Sequence, residues 1–197
     1  YAALETCGCN DEQNKISGCL SLSSSFEWLG KRYKMNQYRR LLMSLCVLAA
    51  LTTAGSFVSQ YGFGLNPCPL CILQRLAVMA TGLTAALALL LPSQKSGGRT
   101  AAAVLVSVPA IWGLGVALYQ IYVQSLPIME QPACGAPWTF RLRDWPLFDW
   151  YEAVIRGSGQ CGVVEKVAGV PLPMWSAMFF GVVLLMLGGL WLRLRQA

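Results

Sequence analysis

The chain of 197 residues contains no histidine, and only 12% of its residues are charged. An ordinary soluble domain carries about 25% charged residues. A chain this poor in charge, with 55% hydrophobic residues, does not belong to that class. The missing histidine excludes any histidine-dependent proton step and any cysteine–histidine zinc site. Charge is absent altogether from one connecting stretch, Ser59 to Leu70. The net charge of +6 suggests nucleic acid at first sight, but the basic residues are placed for a membrane instead.

What fills the chain is long apolar blocks: Leu41 to Val58, Ile72 to Leu91, Ala101 to Val123 and Trp175 to Leu192. A helix rising 1.5 Å per residue needs about 20 residues to cross about 30 Å of hydrocarbon, and each block is close to that length. The expected fold class is an all-α membrane protein, a four-transmembrane-helix bundle formed by residues 35–197. Basic residues flank the blocks: Lys31, Arg32, Lys34, Arg39 and Arg40 before the first, Lys95 and Arg99 between the second and third, Arg193 and Arg195 after the fourth. Lys and Arg accumulate on the cytoplasmic side, so these segments and both termini are expected inside. The stretch 59–70 and the long loop 124–174, where Arg141, Arg143, Arg156 and Lys166 are offset by five acidic residues, are then the outward loops.

Residues 1–34 are polar and rich in Ser and Gly, and Met35 with Asn36-Gln37-Tyr38-Arg39-Arg40 has the character of a natural start. They are read as a reading-frame extension or artefact, disordered and outside the fold. Their Cys7, Cys9 and Cys19 lack a fourth ligand at metal-binding spacing. In the second outward loop, Pro146 to Ile155 alternates apolar and charged residues as a short amphipathic helix lying on the membrane surface would. Trp138, Trp145, Trp150 and Trp175 suit an interfacial belt or ordinary loop packing.

The cysteines carry the chemistry. Cys46, within the first block, reads as a small buried apolar residue. Cys68-Pro69-Leu70-Cys71 opens the second span, with Pro69 suited to a first helical turn. Thiols there meet unpaired backbone N–H groups and the positive end of the helix dipole, which favour the thiolate nucleophile. Half a zinc site or a static staple are the bland readings; redox activity is the sharper one. Cys134 and Cys161 lie in the long loop, each beside a glycine. Four outward cysteines allow three connectivities, of which Cys68/Cys71 with Cys134/Cys161 is the simplest. A purely structural bridge across the long loop would stabilise by about 3 to 4 kcal/mol, whereas two pairs on one face suggest a relay. Arg75 lies one turn after Cys71 on the same helix face. It is either an arginine snorkelling to the interface or a fixed cation that serves a thiolate and a carbonyl of a lipid-soluble oxidant.

Taken together, these residues resemble the disulfide bond formation protein B (DsbB) family. The resemblance runs from Met35 to the C-terminus through the four spans, Cys68-x-x-Cys71 with Arg75, Cys134 and Cys161, and Pro171-Leu172-Pro173-Met174-Trp175 before the last span. It implies a protein-dithiol:quinone oxidoreductase of the bacterial inner membrane. The loop pair Cys134/Cys161 would oxidise a periplasmic DsbA-like partner, Cys134 forming the mixed disulfide and Cys161 resolving it. Electrons would pass to Cys68/Cys71 and from Cys71 to ubiquinone or menaquinone held near Arg75. The direction of flow comes with the resemblance. Where some members of the family carry histidine in the third helix, this chain has Gln120, Ile121 and Tyr122.

Two other readings compete. A vitamin K epoxide reductase-like enzyme would carry its Cys-x-x-Cys late in the bundle; a non-enzymatic membrane subunit would carry static disulfides. Topology is directly testable: reporter fusions at Ser96 and at the C-terminus should score cytoplasmic and one at Gly157 periplasmic. A periplasmic signal at Ser96 would defeat the four-span arrangement.

Overall fold

The computed structural model of the protein describes residues 37–91, 96–167 and 169–195. Two compact units divide the chain, Tyr1–Arg40 and Leu41–Ala197. Of the first, only Gln37–Arg40 lie among the described residues, and the expected extension over 1–34 lies outside them.

Among the described residues, four helices are long and apolar enough to cross a membrane. They are α1 (Gln37–Gly62), α2 (Pro69–Leu90), α3 (Ser96–Ser125) and α6 (Leu172–Arg195). The expected four-helix membrane bundle is thus the fold. α1 continues past the apolar block ending at Val58 by a π-helical turn, Val58–Gly62. The connection between α3 and α6 holds a 3-10 turn (Ile128–Glu130), the short helices α4 (Trp138–Arg141) and α5 (Phe148–Ile155), and a small antiparallel hairpin. In the hairpin, β1 (Lys166–Val167) pairs with β2 (Val170–Pro171), Val167 opposite Val170, and Gly169 takes the left-handed φ of 81° that its turn requires. The amphipathic helix expected in this loop is α5, with Ile155 on its buried side.

Small residues let the helices approach. Along α3 a stripe at three- and four-residue spacing is buried: Ala102, Val106, Ala110, Gly113, Ala117, Gln120 and Val123. It packs α3 against both α2 and α6. α2 answers with Ala77, Ala85 and Ala88, and α1 meets α2 where Ala49 lies against Gly82. Lipid offers no hydrophobic drive for helix pairing, so close contact of small side chains supplies it. The other faces carry exposed Leu51, Leu83, Val108, Ile111 and Leu185, a surface that hydrocarbon solvates and water would not.

Phe180 of α6 is fully buried with its ring end against Gly113, leaving no room for a β-carbon there. Gly113→Leu should destabilise the bundle by about 1–3 kcal/mol through overpacking. Gly115→Ala, with nothing within 4 Å of the added carbon, should stay within about 0.5 kcal/mol of the parent. Thermal unfolding in detergent reads both, and equal stability of the two variants would contradict the packing.

Candidate functional site

The site begins where α2 begins. Cys68 caps the helix with an extended backbone (φ −77°, ψ 164°), and Pro69 occupies the first turn, where its missing N–H costs nothing. The sulfur of Cys68 takes the capping role usual for Ser or Asp, accepting from Cys71 N at 3.2 Å. The two sulfurs are 2.7 Å apart. A disulfide needs about 2.05 Å, so the two sulfurs are close enough to bond once two electrons and two protons are removed. The positive end of the α2 dipole favours thiolate at this helix start. At Cys68 it is outweighed: the hydrogen bond shared with Cys71 Sγ, and then burial, push its thiol well above the ordinary range.

The second pair is a formed disulfide, Cys134–Cys161, with Cα atoms 5.9 Å apart, which selects the simplest of the three connectivities. It lies beside the first. Cys68 and Cys161 share one buried cluster with Val123, and Leu70, Cys71 and Cys134 pack against it. Neighbouring loops hold it there. Asn66 Nδ2 donates to Ser158 Oγ and Ser158 N donates to Asn66 Oδ1, both at 3.0 Å, while Gly159 N donates to Pro67 O at 3.3 Å. Gly157 and Gly159 lie so close to the Pro67 and Asn66 carbonyls that any side chain would collide. Trp138 Nε1 donates to Pro69 O at 3.1 Å, tying α4 to the start of α2. Trp138 therefore acts in loop packing, whereas Trp150 is exposed.

Arg75 is 6% exposed, so its guanidinium is buried within the bundle and does not snorkel. Its Nε donates to Ser56 Oγ at 2.9 Å; its Nη1 donates to Gln60 Oε1 at 2.7 Å and to the Val154 carbonyl at 3.2 Å. The charge stands 4.6 Å over the ring of Phe57. Three of its contacts come from the end of α1, where the π-turn carries Gln60, and the fourth from the last turn of α5. Gln60 Nε2 and Tyr61 OH donate in turn to the carbonyls of Arg156 and Ala153, at 2.9 and 2.8 Å. Arg75 has no carboxylate in salt-bridge range among the described residues, and its Nη2 has no hydrogen-bond acceptor among them.

A cavity of about 610 Å³ opens between α1, α2 and α6, a size suited to a small organic molecule. Its lining is mostly apolar, with Leu48, Val78, Phe179 and Val182 among it, and includes Cys71, Arg75 and Glu165. Cys68 is not among the lining residues. The cysteine and the arginine singled out on one face of α2 thus share one chamber, as the four-residue spacing requires.

Gln74, Ser56 and Gln60 escaped the reading of the chain as spans and cysteines, and Gln120 was singled out only as standing where some family members carry histidine. Gln74 and Gln120 are buried beside the sulfurs, and Ser56 and Gln60 hold Arg75. For Gln74 and Gln120 the available signal was a polar amide inside an apolar block, costly in hydrocarbon unless paired, whereas Ser56, a hydroxyl, and Gln60, in the stretch 59–70, carried no such signal.

A membrane bundle that gathers a Cys-x-x-Cys and a loop disulfide into one buried cluster defines a class, the membrane proteins of thiol–disulfide exchange. Within that class the chain belongs to the disulfide bond formation protein B (DsbB) family, whose model, Disulfide bond formation protein DsbB, matches residues 38–190. It is 46% identical over 158 residues to Disulfide bond formation protein B of Neisseria gonorrhoeae, covering 80% of this chain and 98% of that protein. The corresponding protein of Neisseria meningitidis serogroup A is 45% identical over the same coverage. That of Chromobacterium violaceum is 40% identical over 143 residues, 71% of this chain and 86% of that one. Family and fold together make this a multi-pass membrane oxidoreductase of disulfide-bond formation.

Proposed function

We propose that the protein is a quinone-linked thiol oxidase of the bacterial inner membrane, with both termini cytoplasmic, which reoxidises a periplasmic DsbA-like dithiol protein. The observation that carries this reading is the shared cluster of the two cysteine pairs, with a cavity lined by Cys71 and Arg75 beside it. A partner thiolate attacks Cys134 Sγ as the Cys134–Cys161 bond breaks, and Cys161 takes the electron pair as thiolate. The partner's second thiol then displaces Cys134 and the partner leaves oxidised. The reduced loop pair exchanges with a Cys68–Cys71 disulfide, regenerating the loop disulfide and leaving a dithiol next to the cavity. Every exchange needs one thiolate and one disulfide in contact, which the cluster supports.

The cavity fits a quinone, ubiquinone or menaquinone, on two counts. Its walls are apolar, and Arg75, held by three acceptors, keeps Nη2 without an acceptor among the described residues, a donor suited to a ring carbonyl. A bound quinone would supply the electron sink, accepting two electrons and two protons for each dithiol oxidised. Arg75 would orient it and Cys71, not Cys68, would face it.

Membranes carrying the protein should oxidise a reduced DsbA-like partner only when quinone is present, and inert cysteines would defeat the proposal. Arg75 sharpens the test. A lysine could serve a merely topogenic role as well as arginine does, but it lacks the planar fork that reaches several acceptors at once. Losing one charge-assisted hydrogen bond should weaken apparent quinone affinity by about one to two orders of magnitude, more in Arg75→Ala than in Arg75→Lys. Unchanged quinone titrations in both, at equal protein level, would remove Arg75 from the site. Cys161→Ser leaves Cys134 as a lone thiol, which should accumulate a mixed disulfide with added oxidised partner, detected on non-reducing gels, because Cys161 is not there to displace the partner from Cys134. Partner oxidation that survived loss of Cys134 would overturn the relay.

A further inference from the structure

Beside the two sulfurs of α2 stands a pair of amides that the thiol chemistry described so far does not use. Gln120 is 2% exposed and Gln74 is 3% exposed. Nε2 of Gln120 lies 3.3 Å from Cys68 Sγ and 3.3 Å from Cys71 Sγ, so its two N–H groups can each serve one sulfur. Its Oε1 accepts from Gln74 Nε2 at 2.6 Å. That bond sets the polarity. Turning the Gln120 amide over while Gln74 stays in place would set two NH2 groups against each other and lose the contacts to sulfur. Cys71 Sγ lies 3.7 Å from the same oxygen, a longer contact.

The apolar surroundings make this arrangement consequential. Negative charge on sulfur is costly away from water unless donors face it. Arg75 directs its described hydrogen bonds to Ser56, Gln60 and Val154, none of them to sulfur. Among the described residues, the side-chain nitrogen that reaches both sulfurs is Nε2 of Gln120; the backbone adds Cys71 N on Cys68. A neutral amide brings no charge of its own to be compensated in hydrocarbon and has no proton to give up, so it remains a donor whichever sulfur is charged. Its place follows from packing, because Gln120 continues the buried stripe of α3 and is delivered to the sulfurs by the contact that joins α3 to α2.

We infer that Gln120 is a catalytic residue of this site, donating to the Cys68 and Cys71 sulfurs and stabilising the thiolate of the reduced pair, and that Gln74 is the positioning residue that fixes its polarity. The inference rests on the redox reading of Cys68/Cys71, but its test needs neither quinone nor partner. The full-length protein is purified in detergent and the pair reduced. Two quantities are followed by mass spectrometry of the peptide containing both cysteines: the iodoacetamide alkylation rate at Cys71, and the dithiol–disulfide equilibrium in a thiol redox buffer.

Gln120→Met keeps the volume and removes both donors. It should slow alkylation at neutral pH about tenfold and shift the equilibrium about tenfold toward the disulfide, which corresponds to about 30 mV. Gln74→Met leaves Gln120 present but unfixed, and should shift both in the same direction by about threefold. An intact Cys134–Cys161 bond and a thermal transition near that of the parent certify each variant's fold, and Gln124→Met at the outer end of α3 gives the same change of residue away from the sulfurs. A merely structural role for Gln120 would lower the thermal transition and leave rate and equilibrium alone. Values within twofold of the parent in folded Gln120→Met would overturn the inference. Should the parent show no quinone-dependent turnover while Gln120→Met still slows alkylation, the quinone reading fails and the amide clamp stands.

Discussion

Arg75 is a permanent charge enclosed by a membrane bundle, and much of the architecture at that end is organised around satisfying it. An arginine in hydrocarbon costs several kcal/mol unless its donors find acceptors. Here the acceptors are Ser56 and Gln60 at the end of α1 and a carbonyl in the last turn of α5. One side chain therefore joins the first helix, the second helix and the long loop. The π-turn at Val58–Gly62 carries Gln60 into this set, consistent with the tendency of such turns to occur at functional positions. Tyr61 and Gln60 then hold the carbonyls of Ala153 and Arg156, so the loop that bears Cys161 is anchored on the far side of the arginine.

Disulfide exchange is a contact reaction, and a relay between two pairs works only if a loop can bring one to the other. Gly157 and Gly159 lie against Asn66 and Pro67 at separations that leave no room for a β-carbon at either glycine, and the Asn66–Ser158 hydrogen bonds close the contact. Glycine here serves close approach of two backbones and not a turn. The loop disulfide is consequently seated against the Cys-x-x-Cys, a position that a bridge serving only to shorten the loop would not need.

A division of labour between the two α2 cysteines follows from their places at the helix start. Cys68 is the cap, buried in the cluster with Cys161, and Cys71 lines the cavity with Arg75. Both cysteines meet the loop-pair cluster and Cys71 also lines the cavity, so the pair lies between the loop disulfide and the chamber.

Much of this was legible along the chain. Four apolar blocks, the scarcity of charge, the Cys-x-x-Cys at a span's start and Arg75 one turn later are local features, and local features fix helices and the residues that share a helix face. Sequence alone thus determined the four-helix membrane fold, the family, and the common face of Cys71 and Arg75. The partners of those residues were another matter. Gln120 meets Cys68, Ser56 meets Arg75 and Cys161 joins Cys68 only because helices far apart in sequence pack through Ala49, Gly82, Gly113 and Phe180. Which amide reaches the sulfurs, which oxygens hold the guanidinium, and where a cavity remains were decided by the tertiary structure, because they depend on the rotation of each helix about its axis, and only packing between helices sets that.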